Sequence, residues 1–194
     1  ELFEKTLETL YPLIHTHCEK TKHGTTGLLF RWKGKSSDKA PIVLMSHYDV
    51  VPVNQELWSK PAFDAILEEG VIWARGTLDT KGTLFGVVES VASQIRAGVI
   101  PDVDIYLSFS GDEEISGDSA PSIVQYLKGK GIVPSLVLDE GGAIVEDIFP
   151  GLDQPCALIG VGEKGYLDVS LKLSGQGGHA SAPPANTLVT RLAT

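Results

Sequence analysis

The sequence predicts an α/β fold, with a mostly parallel central sheet and flanking helices. Three observations predict it. Short apolar runs without alternation, Ile42–Met45 and Leu136–Leu138, read as strands covered on both faces, as in a parallel sheet. Between them, apolar residues recur at helical spacing: Leu84, Phe85, Val87, Val88, Val91, Ala92 and Ile95. After Pro150 the texture changes. Leu167, Val169, Leu171 and Leu173 alternate with Asp168, Ser170 and Lys172, the period of a half-exposed antiparallel strand. A boundary near residue 162 therefore divides the chain into 1–162 and 163–194.

The elements follow in order. Leu2, Phe3, Leu7, Leu10, Leu13 and Ile14 predict a helix from Leu2 to His15. The stretch Thr21–Thr26, with Gly24, reads as a turn. Gly27–Lys33 is a strand, and Gly34–Ala40 a polar turn before Ile42–Met45. Val53–Ala65 is irregular, and Val71–Ala74 forms a short strand. Thr83–Arg96 is the helix just described, and Val103–Phe109 is a strand. Ala120–Lys130 is a helix that starts near Pro121 and is stopped by Gly131. Leu136–Leu138 is read as a core strand, and Ala157–Gly162 as a strand of different texture.

Composition narrows the function. The 194 residues are 42% hydrophobic and 21% charged, ordinary for a chain with one good core. A net charge of −9 argues against a nucleic-acid groove and an anionic membrane surface. Cys18 and Cys156 stand far apart and in no metal-like spacing, which fits a reducing compartment such as the cytoplasm. No stretch approaches the roughly 20 apolar residues of a membrane span. Residue 1 is Glu, and the final residues look like a helix cut short, so both ends are expected to lie inside a longer protein.

The chemistry gathers at strand ends. His47 and Asp49 close the run from Ile42. Asp79 lies between Gly76 and Gly82. Asp112, Glu113 and Glu114 follow the strand ending at Phe109, and Asp139 and Glu140 follow Leu138. In an open α/β sheet, ligands bind at the carboxyl ends of strands. One His-x-Asp pair is a weak signal, and an acid after a turn is often only a cap. Four strand ends that all finish in potential ligands point to a cation. Glu113 and Glu114 are adjacent and repel one another unless a proton or a cation intervenes. That suggests one binds metal while its neighbour handles a proton.

These residues resemble a known family. Ser46-His-Tyr-Asp-Val-Val-Pro52, Ala74-Arg-Gly-Thr-Leu-Asp-Thr-Lys-Gly82, Gly111-Asp-Glu-Glu-Ile-Ser-Gly117, Leu138-Asp-Glu-Gly141 and Gly177-Gly-His-Ala-Ser181 look like the motifs of the zinc metallopeptidases that include aminoacylase-1, carboxypeptidase S, succinyl-diaminopimelate desuccinylase and the glutamate carboxypeptidases. The carboxypeptidase S branch is the most similar. The resemblance implies a zinc-peptidase-like catalytic domain over 1–162 and, over 163–194, the beginning of a small α+β lid and dimerisation domain.

It also implies a two-zinc hydrolase. His47 would bind one zinc, Asp79 would bridge both, and Glu114 would bind the second. Asp139 or Glu140 would complete the first shell. Asp49 would orient His47, and Glu113 would be the general base and acid. Co2+ or Mn2+ could substitute, since mixed oxygen and nitrogen ligands select metals poorly. His179 resembles a histidine that stabilises the oxyanion or holds the substrate in a partner subunit, which implies a homodimer. The implied substrates are small and carry a carboxylate: dipeptides, the C-terminal residue of short peptides, or N-acyl amino acids. The family's further metal-binding histidine lies downstream of anything in this chain. The alternative is therefore a truncated or non-catalytic relative that binds metal without turnover. His15 and His23 are read as surface residues, Cys18 and Cys156 as structural or incidental, and Trp58, Phe63 and Trp73 as packing.

Overall fold

Leu28, Phe30 and Trp32 point one way from their strand, and Leu29 the other, because strand side chains alternate. Both sets are buried, so this strand needs cover on two faces, and the fold supplies it. The computed structural model describes residues 1–162, 164–175, 179, 181–182 and 186–193. The chain divides into two compact units, 1–141 and 142–194.

The first unit runs α1 (Leu2–Leu10), α2 (Pro12–His17), β1 (Cys18–His23), β2 (Gly27–Trp32), β3 (Ile42–His47), β4 (Ile66–Glu68), β5 (Val71–Trp73), α3 (Gly82–Arg96), β6 (Ile105–Ser110), α4 (Ser119–Gly129) and β7 (Leu136–Leu138). Five strands make one sheet in the order β1-β2-β6-β3-β7. β3 runs parallel to β6 and β7, whereas β2 is antiparallel to β6 and to β1. The sheet is therefore mixed, with its parallel part confined to β6, β3 and β7.

One face packs α1, α2 and α3 against Leu28, Phe30, Trp32, Leu107 and Phe109. From α3 come Leu84, Val87, Val88, Val91, Ala92 and Ile95, the predicted stripe with Phe85 left exposed. The other face packs Ile123 and Leu127 of α4 on Leu29, Val43 and Tyr106. Both β3 and β6 end at the same level, with His47 opposite Ser110.

Several expectations change. The first helix breaks at Tyr11, whose φ of −128° and ψ of 60° are not helical. Proline disfavours helical backbone in the residue before it and tolerates the first helical position, so Pro12 opens a second helix. Part of the expected turn over Thr21–Thr26 is strand: β1 pairs with β2 from Cys18 to His23, and the turn shrinks to 24–26. β1 is polar and lies at the edge, so its sequence lacks an apolar pattern. β7, expected in the core, is about half exposed because it is the opposite edge of the sheet. Phe63 is 62% exposed and Trp73 41%, so neither is a core residue. His15 is not simply a surface residue. It meets the Phe30 ring edge-on at 5.2 Å, and both its ring nitrogens are buried without a hydrogen-bond partner.

In the second unit, β8 (Ala143–Val145) pairs antiparallel with β9 (Cys156–Leu158), and α5 spans Leu188–Ala193. The alternating stretch Tyr166–Leu173 forms no ladder among the described residues, and Tyr166, Leu167, Val169 and Leu171 stand exposed. Alternation produces a strand only where a neighbouring strand takes its backbone groups and a face covers its apolar side. Both cysteines are free, and burial pushes the Cys18 thiol up to about 12. Among the described residues, no helix is long and apolar enough to cross a membrane.

Candidate metal centre

The site begins with the last residue of β3. His47 is only 2% exposed, held between β6 and β7 in a strand whose Ser46 is also buried. Its Nδ1 lies 3.2 Å from the main-chain carbonyl of Asp49. A carbonyl only accepts, so Nδ1 donates to it, which leaves Nε2 as the nitrogen free to meet a cation. Asp49 Oδ1 is also 3.2 Å from Nδ1, yet it is buried without hydrogen-bonding geometry to any donor. The carbonyl is the ring's partner. Asp49 Oδ2 accepts from the Glu114 amide at 3.1 Å.

Nε2 faces acids. Asp79 Oδ1 is 3.0 Å away, Glu140 Oε1 3.2 Å and Glu113 Oε2 3.9 Å. Each comes from a different segment. Asp79 sits in an irregular turn opened by Gly76 at φ +87°, where a side chain would be strained and a Cβ would lie 2.6 Å from Val50 Cγ1. The turn is pinned by Lys81 N–H donating to the Gly76 carbonyl at 2.9 Å, and by Ser46 Oγ donating to the carbonyl of fully buried Thr80. The Asp79–Thr80 peptide is cis. Asp79 does not cap the helix that follows, as a residue at such a turn often would. It turns to His47 instead.

Glu113 and Glu114 lie in the turn between β6 and α4, and Glu140 follows β7. Of the two candidates after β7, Glu140 reaches His47, while Asp139 Oδ1 accepts from the Glu140 amide at 2.9 Å. Burial works to lower the His47 pKa, but Glu140, Asp79, Asp49 and Glu113 outweigh it and leave the pKa raised. Burial raises the Glu113 pKa. His47 opposes that shift, and Glu140, Glu114 and Asp49 reinforce it.

Two overlapping groups of ligand atoms, each within 4.8 Å, result: His47, Asp79 and Glu114; and His47, Glu113 and Glu140. One imidazole and four acids in this space form a donor set suited to one or two divalent cations of the zinc or manganese type. A buried imidazole nitrogen ringed by carboxylates fits a cation between them, which would take the place of the proton that Nε2 donates to Asp79 Oδ1 at 3.0 Å. Glu113, expected as a base, thus lies as close to His47 as a ligand would. His179 belongs to the second unit. It is exposed, with Nδ1 2.7 Å from Ser181 Oγ.

Residues 43–187 match the family described as Peptidase family M20/M25/M40. The chain belongs to this family. Among M20 relatives, it is 35% identical to probable carboxypeptidase S-like 2 of Dictyostelium discoideum, over 98% of this chain and 38% of that protein. It is 33% identical to the human N-fatty-acyl-amino acid synthase/hydrolase PM20D1, over 98% and 38%. With carboxypeptidase S of Saccharomyces cerevisiae it shares 36% identity over 97% of this chain and 33% of that one. The chain thus spans little more than a third of the length of these M20 relatives. In fold, it is similar to human carnosine dipeptidase 1, with a TM-score of 0.60 at 16% identity, covering 73% of this chain and 33% of that one.

The reading from sequence missed the supports. Lys81 Nζ donates to the Tyr48 carbonyl at 2.9 Å, and its pKa is lowered by burial against the pull of Asp49. Tyr48 O–H donates to the Thr26 carbonyl at 2.6 Å. Lys81 belonged to a quoted motif and was findable, whereas Thr26 sits in a hairpin turn with nothing local to mark it. A cavity of about 620 Å³ lies at the other end of the sheet, lined in part by Arg31, Lys39, Asp104, Tyr106 and Lys130. It contains none of the clustered groups. Convergent titratable side chains, rather than volume, identify the site.

Proposed function

We propose that this chain is the metal-binding part of a hydrolase that cleaves an amide bond in small carboxylate-bearing substrates. These are dipeptides, the C-terminal residue of short peptides, or N-acyl amino acids. The observation that carries the reading is the buried His47 imidazole, whose Nε2 has Asp79, Glu140 and Glu113 within 3.9 Å. The names of the M20 relatives, peptidases and an acyl-amino acid hydrolase among them, support the substrate class.

His47, Asp79 and Glu140 would hold one zinc ion, and Asp79 and Glu114 the second. Such a pair supplies a water of lowered pKa and polarises the amide carbonyl. The chain's own residues do the rest. The Asp49 carbonyl holds the Nδ1 proton of His47 and so keeps Nε2 in its ligating form. Glu113 takes the proton of the attacking water at Oε2 and delivers it to the leaving amine. Its raised pKa suits the second task, because the carboxyl still holds a proton to give at a higher pH than an ordinary glutamate would. His179 would bind the developing oxyanion or the substrate carboxylate. The residues from 163 onward would begin a lid through which two copies associate.

A second reading is that this chain holds metal without turning over substrate. It is favoured by the single imidazole in the cluster among the described residues. Zinc loading followed by removal of free ion tests the first step. About two bound zinc ions are expected per full-length protein and fewer in this stretch of it, and none in either would overturn the metal reading. A panel of dipeptides and N-acyl amino acids tests the second. Glu113→Gln is expected to keep its zinc and to lower turnover about 100- to 10,000-fold. Bound zinc with no turnover in the unsubstituted protein leaves the binding module.

A further inference from the structure

The loop 111–118 that carries Glu113 and Glu114 is braced from the β1–β2 turn, far away in sequence. Its first amide, Gly111 N–H, donates to Thr26 Oγ1 at 3.0 Å. At its far end, Ser119 Oγ donates to Asp112 Oδ2 at 2.8 Å. Thr26 N–H donates to Ser119 Oγ at 3.0 Å, and the two hydroxyls are 2.9 Å apart. The protons can be placed without ambiguity. Asp112 only accepts, so the Ser119 proton goes to it. Thr26 Oγ1 must then donate to Ser119 Oγ while it accepts from Gly111. Every donor is used once, and Ser119 and Asp112 are buried, so the chain of bonds has no water to replace it.

The same turn holds the other half of the cluster. The Thr26 carbonyl accepts from Tyr48, whose own amide donates to the Ser110 carbonyl at 2.8 Å. The Asp118 Oδ1 bond to the Thr25 amide, at 2.9 Å, adds a second tie from loop to turn. Gly117 closes the loop so tightly that a Cβ there would lie 2.3 Å from Asp112 Cγ.

We propose that Thr26 and Ser119 are positioning residues for the Glu113–Glu114 pair: their hydroxyls fix the two ends of the acid-bearing loop to the β1–β2 turn and so set the carboxylates against His47. This rests on the metal reading above, but its first test does not. Thr26→Val keeps the shape and removes the hydroxyl; Thr26→Ser keeps the hydroxyl and removes the methyl. In chelator, amide hydrogen exchange over 111–118 should rise about five- to tenfold in Thr26→Val, the scale of one lost hydrogen bond, and stay near the original in Thr26→Ser. In zinc, measured by competition with a chromophoric chelator, Thr26→Val should bind about 10- to 100-fold more weakly, with Thr26→Ser close to the unsubstituted protein. Circular dichroism confirms that the variants are folded. If Thr26→Val does not fold, Ser119→Ala breaks the same chain at its other end and is read in the same two assays.

Unchanged exchange in Thr26→Val overturns the inference. Equal damage in Thr26→Ser also overturns it, because the methyl and not the hydroxyl would then matter. A faster-exchanging loop with unchanged zinc affinity overturns the positioning role while leaving the metal reading intact. Normal exchange effects in a protein that takes up no zinc overturn the metal reading and, with it, the role of the brace toward ligands.

Discussion

Replacing Glu113 by Gln should make the metal-free protein more stable. Glu113 Oε2 lies 3.9 Å from His47 Nε2, but Glu140, Glu114 and Asp49 surround it with negative charge, and its pKa is raised by burial and by those acids. Its side chain is 51% exposed, so water screens much of this. A pair of unit charges about 4 Å apart in water is worth about 1 kcal/mol, and exposed pairs measure about 0.2–1 kcal/mol. The attraction of His47 offsets part of the repulsion. The net cost at pH 7 is therefore about 0.5 kcal/mol, or a rise of about 1–2 °C in melting temperature on its removal. A raised carboxyl pKa means that the native state holds its proton to higher pH than the unfolded chain does. The penalty is then absent below about pH 4, grows as pH rises past the unfolded value, and levels off above the folded one. Urea unfolding in chelator at pH 4 and pH 7 measures it. Gln should match Glu at pH 4 and exceed it at pH 7, and the advantage should shrink once zinc is bound. A Gln variant that is less stable at pH 7 in chelator would refute the crowding argument, since the carboxylate would then be making a favourable contact.

Two further outcomes follow from the packing. Phe109 is fully buried on β6, 6.2 Å from the Phe30 ring, so Phe109→Ala should cost about 3–5 kcal/mol in urea unfolding; under about 1 kcal/mol would mean that the site collapses around the hole. Lys20 and Lys22 hold the Glu4 carboxyl at about 2, tying α1 to β1. Its stabilisation is present above about pH 4.5 and lost as pH falls towards 2, so Glu4→Gln should lose about 0.5–1 kcal/mol at pH 7 and show a flatter acid limb. Parallel acid limbs for the two proteins would remove Glu4 from the account.

How much was legible depended on whether a residue's partner is local. Helix α3 could be read because its stripe of six buried residues repeats at the helical period. The ends of β3 and β6 could be read because apolar runs stop at His47 and before Asp112. β1 could not, since Cys18–His23 is polar and becomes a strand only through its pairing with β2. The Leu2–His15 helix was read through Pro12, although that residue's missing N–H marks the break. Asp139 and Glu140 differ by one position, and only the turn after β7 decides which side chain faces His47. Thr26 and Ser119 were invisible for the opposite reason to α3. Their bonds join positions 93 residues apart, and no local pattern records them.

Asp49 serves two masters with different parts of itself. Its main chain holds the imidazole, and its side chain holds the Glu114 amide. The two halves of the acid cluster are thus referenced to one residue, as two hands are to one spindle. A shift of the backbone at position 49 carries both halves together and preserves their separation. Loss of the side chain alone uncouples them, releasing Glu114 while His47 keeps its proton partner. The distance from the imidazole to the Glu114 main chain is therefore tied to a single aspartate that belongs to neither group of clustered ligand atoms.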